Sequence, residues 1–355
     1  MAGLTSRDVA KAAGVSQATV SNVLNRPHLV SDATLEKVRE TMQSMGFVVN
    51  DSARTLRAGR SRTLGVITLD LANPFWGEVM RGIESAATPH DYSVLFGSSD
   101  EQPEKEQHFL RLFHQHRVHA VLVSSLEDDS DALQALRERG TRIVLVDKKS
   151  ADGRDSSVSS DDIAGARQAM GHLLDTGHRR IAFINGPHEV PWCADRYRGS
   201  AIEVADRGLD VSQVLIEVSI PSMTAHAAED VVDQLLSIDG VTAAFCANDL
   251  VALGVLRQLS LRGVAVPDDL SLVGYDDSYF ASLLSPALTT VRQEPFLMGK
   301  YAAQIAIGSQ PQDSPEARIL EPTLIQRQSV RVLEADASDP SATRASRQRS
   351  KVTIA

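Results

Sequence analysis

The chain has 355 residues, 43% of them hydrophobic and 5% aromatic, with charges of both signs, which is ordinary composition for two or three packed domains. No apolar run reaches the roughly 18 residues a membrane-spanning helix needs, and the start lacks the basic-then-apolar order of a signal peptide, so the chain is expected in the cytoplasm. Cys193 and Cys246 are too few for a disulfide framework or a zinc site; a reducing compartment and burial as small hydrophobes are expected. The net charge of −10 argues against a nucleic-acid partner until its distribution is examined. The first sixty residues hold eight basic and five acidic side chains, a surplus of +3, which leaves the remainder at −13. A small basic head on an acidic body is the footprint of a DNA reader that does not coat DNA with its whole surface.

In chain order, Thr5 reads as an N-cap with Asp8 three positions on, a capping-box spacing, and Val9, Ala10 and Ala13 form one apolar edge of a short helix. Gly14 ends it, because glycine enters the left-handed region without a Cβ penalty. Ser16 caps a second helix with Val20, Val23 and Leu24 inward and Gln17, Ala18, Ser21, Asn22 and Asn25 outward. Two short helices about a glycine turn read as a helix-turn-helix or as an ordinary solvated hairpin. The outward set suits a recognition helix: Gln and Asn make paired bonds to base edges, Ala packs on a thymine methyl, and Ser and Thr reach phosphates. A loop over 26–30 leads to Ser31, cap of a third helix reaching about Met45 and ended by Gly46.

The segment from Asn50 to Gly59 has a cap at one end and a glycine at the other. About eight residues is too short for a free helix in water, where roughly 12–15 are needed, so order here requires a partner surface. Leu56 is a large apolar side chain among Arg54, Arg57 and polar neighbours. It reads either as an anchor into the protein or as a wedge for a base step.

From Thr63 onward strand-like runs alternate with helical stretches. Runs at 64–69, 94–96, 120–123 and 143–146 are followed by a second series at 181–184, 214–216, 243–246 and 270–273. Helices are expected near 76–87, 104–116, 131–139, 163–175, 195–207, 225–236 and 249–262. Continuous apolar strands alternating with helices mean parallel sheets covered on both faces, here as two doubly wound lobes. Such sheets bind ligands at the carboxyl ends of their strands. The polar residues at those ends are Asn73, Asp147, Asn248 and Asp276, with Arg196 after Pro191-Trp192-Cys193 and Gln293 where the chain crosses between lobes. Asn73 and Asn248 also read as simple helix caps. Carboxylates, amides and one guanidinium converging on a cleft suit a polyhydroxylated ligand, and Phe75 with Trp76, Trp192 or Phe280 offers a ring to stack on it.

The stretch Leu4–Asn25, with Val30-Ser31, Gly46-Phe47 and Arg54-Thr55-Leu56-Arg57, resembles the headpiece of the LacI/GalR family of bacterial transcription regulators, and related signatures continue to about residue 330. The resemblance implies an all-α headpiece over 1–46 and a hinge over 47–60. It further implies a core over 61–332 like a periplasmic binding protein, with an N-lobe of about 61–160 plus 291–320 and a C-lobe of about 161–290 plus 321–332. Residues 333–355 read as a disordered tail by composition. The resemblance also implies that Gln17, Ala18 and Asn22 face bases in the major groove and that Leu56 enters a minor-groove step. Thr5, Ser16, Thr19, Ser21, Asn25, Ser31, Thr34, Asn50, Arg54 and Arg57 then hold phosphates. In the cleft it implies effector contacts from Asn73, Phe75, Asp147, Arg196, Asn248, Asp276 and Gln293. The bulky loop 191–195 departs from the pattern, so ligand identity does not transfer. His178, in the stretch Gly177–Ile184, reads as a structural hydrogen-bonding group rather than a catalyst.

No nucleophile elbow, phosphate loop, dinucleotide glycine fingerprint or zinc-protease signature occurs, which argues against an enzyme. The expected protein is a homodimeric repressor of a catabolic or uptake operon. It binds a pseudo-palindromic DNA operator and responds to a sugar, sugar phosphate, nucleoside or purine, with no cofactor and no metal. Corepression, or dependence on a phosphoprotein partner, is the alternative within the same class.

Overall fold

The computed structural model describes residues 4–47, 61–125, 127, 130–308 and 314–333. The expected hinge residues Asn50, Arg54, Leu56 and Arg57 and the expected tail beyond residue 333 lie outside the described residues. The chain divides into two compact units, Met1–Ser61 and Arg62–Ala355.

Among its described residues the first unit holds three α-helices: α1 (Ser6–Ala13), α2 (Gln17–Asn25) and α3 (Asp32–Ser44). Their starts follow from capping chemistry. The Asp8 carboxylate accepts from the Thr5 backbone N–H at 2.8 Å and from its hydroxyl at 2.7 Å, and the Ser16 hydroxyl accepts from Thr19 N–H at 3.0 Å. Gly14 turns the chain at φ 64°, and Gly46 does the same after α3. The stretch expected as a loop after α2 contains a 3₁₀ turn at Pro27–Leu29, begun by Pro27, whose fixed φ suits the first position. Val9, Ala10, Ala13, Val20, Val23 and Val38 form the core.

The second unit contains two parallel sheets. The N-lobe sheet is built from β1 (Thr63–Thr68), β2 (Ser93–Ser98), β3 (Ala120–Val123), β4 (Arg142–Val146) and β5 (Ser156–Ser160). Between these strands run α4 (Pro74–Ala87), α5 (Pro103–His116) and α6 (Asp131–Glu138). The C-lobe begins with α7 (Asp162–Asp175), β6 (Ile181–Asn185), α8 (Pro191–Asp206) and the single turn α9 (Val211–Val214). It continues through β7 (Leu215–Ser219), α10 (Ala225–Glu229), α11 (Val232–Ser237), β8 (Ala243–Cys246), α12 (Asp249–Leu261) and β9 (Ser271–Val273). The chain then crosses back through β10 (Thr290–Arg292) to α13 (Pro295–Ile307) and β11 (Ala317–Leu320), and crosses again into β12 (Thr323–Ile325). The strand orders are β11-β5-β4-β3-β1-β2 and β7-β6-β8-β9, parallel throughout, and β10 pairs antiparallel with β12.

Several elements differ from the sequence expectation, β10, β11, β12 and α9 among them, and three show why. The strand β5 reads SSVSS, with one apolar residue, yet it is buried between β4 and β11, its backbone paired by ladder bonds on both sides. The helix expected over 225–236 is broken into α10 and α11. The helix α13 was not anticipated; it packs against α4 so closely that a Cβ on Gly82 would overlap the Phe296 carbonyl, and one on Gly299 the Val79 carbonyl. Cys193 and Cys246 are free and buried, and burial pushes the Cys193 thiol up to about 11, so both pack as inert hydrophobes. His178 is fully buried, its Nδ1 2.9 Å from the Thr242 hydroxyl and its Nε2 3.2 Å from the Arg331 carbonyl. That is the structural role expected of it. Among the described residues no helix is long and apolar enough to cross a membrane.

Candidate functional site

In the headpiece, the residues expected to read bases sit on the outer face of α2. Gln17 and Ala18 are exposed and Asn22 half-buried, while Val20 and Val23 point into the core. The Gln17 amide donates to the Ser6 hydroxyl at 3.0 Å, which ties the start of α2 to the start of α1. Of the expected phosphate set, Thr5, Ser16 and Ser31 are exposed and Thr19, Ser21 and Thr34 half-buried. Ser16 and Thr19 pair through their hydroxyls at 2.9 Å, as do Ser31 and Thr34. A pair of hydroxyls has two protons and uses one in that bond, so each pair keeps one to donate outward. Thr5 differs, because its single hydroxyl proton goes to Asp8. The side chain of Asn25 lies outside what is described.

In the body, every polar residue expected at a strand end converges on one cavity of about 280 Å³ between the lobes. The loop after β1 supplies Asn73, with Phe75 and Trp76 in the first turn of α4, and the residue after β4 supplies Asp147. From the C-lobe come Trp192 and Arg196 on α8, Asn248 after β8 and Asp276 after β9, and Gln293 follows β10. The stretch 191–195, expected as a loop, is the first turn of α8 with Pro191 at its opening position, which places Trp192 on a helix facing the cavity. Phe280, offered as a stacking ring, packs edge-on against Tyr279 and is not among the residues lining the cavity.

The floor of the cavity is a buried charge network. The Arg196 Nε donates to Asp162 at 2.8 Å, its terminal nitrogen donates to the Ala247 carbonyl, and its guanidinium lies 3.8 Å from the Tyr275 ring centre. Asp276 accepts from the Gln293 amide at 2.6 Å and from the Asn73 amide at 3.5 Å, a bond from the N-lobe edge to the C-lobe edge. Asn73 and Asn248 also cap their helices, accepting from Phe75 and Val251 N–H, so each is a helix cap that also lines the cavity. Burial raises the Asp276 carboxyl to about 6 against the opposing pull of Arg196. Asp147 is held well above the usual carboxylate range, first by burial and then by Asp162. Two buried acceptors lining the cavity, Asp147 Oδ1 and Gln293 Oε1, have no hydrogen-bond partner.

Sequence reasoning missed Asp162 and Tyr275, which hold Arg196, and the wall residues Asp70, Asp100 and Glu101. Asp162 follows a strand with no strand-like composition, and Tyr275 lies beside the Asp276 that was singled out. Eight described non-glycine residues have positive φ, and Asp100, Glu101, Asp147 and Asp276 among them line this cavity. Strained backbone concentrated in one place marks a site built for contact rather than for stability alone.

Comparison with known proteins agrees with both regions. Residues 170–330 match a periplasmic binding protein-like domain. The chain is 32% identical over 334 residues to the HTH-type transcriptional repressor PurR of Aliivibrio fischeri strain MJ11, covering 92% of this chain and 98% of that one. It is 33% identical to the HTH-type transcriptional regulator GalS of Salmonella typhimurium, covering 92% and 96%. Among solved structures, the lac repressor dimer bound to operator and the anti-inducer ONPF superposes with a TM-score of 0.80 at 27% identity, covering 93% of this chain and all of that one. The complex of the transcriptional regulator CelR with cellobiose gives 0.68 at 29%, covering 92% and 99%. Residues 5–50 match the lacI family of bacterial regulatory proteins, and the chain belongs to that family.

Proposed function

We propose that this protein is a homodimeric repressor whose headpieces grip two half-sites of a pseudo-palindromic operator, and whose affinity is set by a small polyhydroxylated ligand in the cleft. The observation that carries this reading is the convergence of Asn73, Asp147, Arg196, Asn248, Asp276 and Gln293 on one cavity between two lobes. A ligand entering between Asn73 and Asp276, which join opposite edges of the cleft at 3.5 Å, competes with that bond and so favours one of the geometries open to the cleft over the others. The ligand acts through its differential affinity for those geometries. Gln17, Ala18 and Asn22 carry the sequence information, and the hydroxyl pairs Ser16–Thr19 and Ser31–Thr34 fix register on phosphates. The hinge, with Leu56 as its wedge and Arg54 and Arg57 beside it, is the element that ligand binding orders or releases.

The test is selection of genomic fragments by the purified full chain, repeated with a Gln17→Ala, Asn22→Ala double variant and with Ser31→Ala. The reading predicts a salt-sensitive preference for two-fold symmetric sites, a changed preference in the double variant, and uniformly weaker binding for Ser31→Ala. A wild-type chain that prefers no fragment, or a double variant that weakens every sequence alike, rejects it.

A further inference from the structure

We propose that the ligand of this cleft carries a positive charge, a protonated amine on a hydroxyl-bearing frame, held against Asp70 and Glu101. The inference rests on the effector reading above and names the chemical class that the cavity selects.

Five carboxylates line the cavity, from Asp70, Asp100, Glu101, Asp147 and Asp276, against the one guanidinium of Arg196. That guanidinium is paired with the Asp162 carboxylate and also donates to the Ala247 carbonyl, beside the Tyr275 ring, so its charge is already matched within the protein. The outer wall divides in two. Asp100 has its own cation, Lys105 at 2.6 Å, and a hydroxyl from Ser98. Among the described residues Asp70 and Glu101 have no ion-pair partner, and Asp70 spends one oxygen on the Ala72 N–H. The two lie on neighbouring loops joined by the bond from Glu101 N–H to the Leu69 carbonyl. Burial and the Asp70 charge both raise the Glu101 carboxyl, as they must where negative charge is gathered without a counterion. Trp192 lines the same cavity, and an indole ring attracts a cation.

The inner end gives the second, independent observation. Asp147 is 8% exposed and Gln293 1% exposed, both line the cavity, and each has a buried oxygen without a partner. The Gln293 atom is an amide oxygen and can only accept, and the Asp147 atom accepts in the ionised carboxyl, the form that a cationic ligand favours. Leaving them unmet is costly, and only donors relieve that. Hydroxyl and ammonium groups are donors; a phosphate or carboxylate has none to give and meets the surrounding carboxylates with like charge. The cavity therefore fits a frame that donates hydroxyls at its inner end and an ammonium at its outer wall.

The experiment is a thermal-shift and calorimetric comparison, on the full chain, of three matched sets: glucosamine, galactosamine and mannosamine, their neutral parent hexoses, and the corresponding hexose 6-phosphates. At least one amine is expected to bind roughly tenfold more tightly than its parent, the size of one charge-assisted contact, and the phosphates not at all. Glu101→Gln, and separately Asp70→Asn, are expected to shrink the amine-to-parent ratio to about twofold or less. Phosphate or parent binding as tight as the amine, no binding by any amine, or an unchanged ratio in both variants overturns the inference. Spermidine, a cation without hydroxyls, binding as tightly as the best amine overturns the hydroxyl half. Retention of a selected genomic fragment, read in the same samples, reports the effector reading separately. A charge order as expected with unmoved fragment binding rejects that reading alone.

Discussion

The headpiece and the body dispose of their polar groups in opposite ways. Among the described residues the headpiece buries only Val and Ala, and the described side chains assigned to DNA are exposed or half-buried. The body buries large aromatic and aliphatic side chains and, among them, Arg196, Asp147, Asp162, Asp276 and Gln293. A core of six small side chains cannot offset the desolvation of a charge, so a domain of that size does its chemistry on its surface. Two large parallel-sheet cores can hold a buried charge network in place, and thereby shape a cavity rather than a surface.

The largest test of this contrast is Arg196→Ala. Truncation leaves Asp162, Asp147 and Asp276 gathered without their cation, and a broken buried pair of this kind costs about 3–5 kcal/mol. Urea unfolding should show that loss in the body's transition; a body as stable as wild type would mean the network is dispensable. Arg196 is therefore a poor probe of ligand contact alone, since its removal loosens the C-lobe.

Next is Val38→Ala in the headpiece. Two methyl groups and the space they leave are worth about 2 kcal/mol, a large share of what a domain this small has. Fragment affinity should fall while the body's melting temperature stays put, and an equal loss in both regions would contradict their independence.

Asp276→Asn acts in the other direction. Its carboxyl titrates at about 6 in the fold, above its ordinary value of 3.8, so the folded state binds more protons than the unfolded chain between those values. Stability on this account falls as pH rises through that window, and the penalty is complete above it. The Asn variant should be more stable than wild type by about 1–3 kcal/mol at pH 7.5, with the difference gone below pH 4. The groups around this carboxyl include Arg196, Gln293, Asn73 and the carboxyls of Asp162, Asp147 and Asp249. A variant that loses stability at pH 7.5 would show that the bond from Gln293 outweighs burial.

The smallest expected effect is Ser16→Ala, which removes the cap on Thr19 N–H and costs about 1 kcal/mol of headpiece stability. Thermal unfolding followed by the headpiece's helical signal measures it, and no change would make the hydroxyl a phosphate contact only.

How much of this was legible depended on where the determining forces lie. Headpiece boundaries could be read from Thr5, Gly14, Ser16 and Gly46 because capping and left-handed turns are local, and caps depend on side chains within three residues. The strand ends could be read because apolar runs stop where Asn73, Asp147, Asn248 and Asp276 begin. What escaped was non-local. The strand β5 owes its place to ladder bonds with β4 and β11 rather than to its serines. The helix α13 is set by its glycine contact with α4. Asp162 and Tyr275 matter only because Arg196, distant in the chain, lies between them. Trp192 was misplaced because a proline in the first turn of a helix reads, from sequence, like a loop.

The account's central claim is that occupancy of the cleft and grip on the operator are one equilibrium. Fluorescence anisotropy of a labelled, selected operator fragment against the full chain measures it, at a saturating concentration of a compound shown by calorimetry to fill the cleft. The account predicts a change in operator Kd of tenfold or more in either direction, about 1.4 kcal/mol of coupling, and the same factor in ligand affinity when operator is bound. A compound that saturates the cleft and leaves operator Kd unchanged would contradict it.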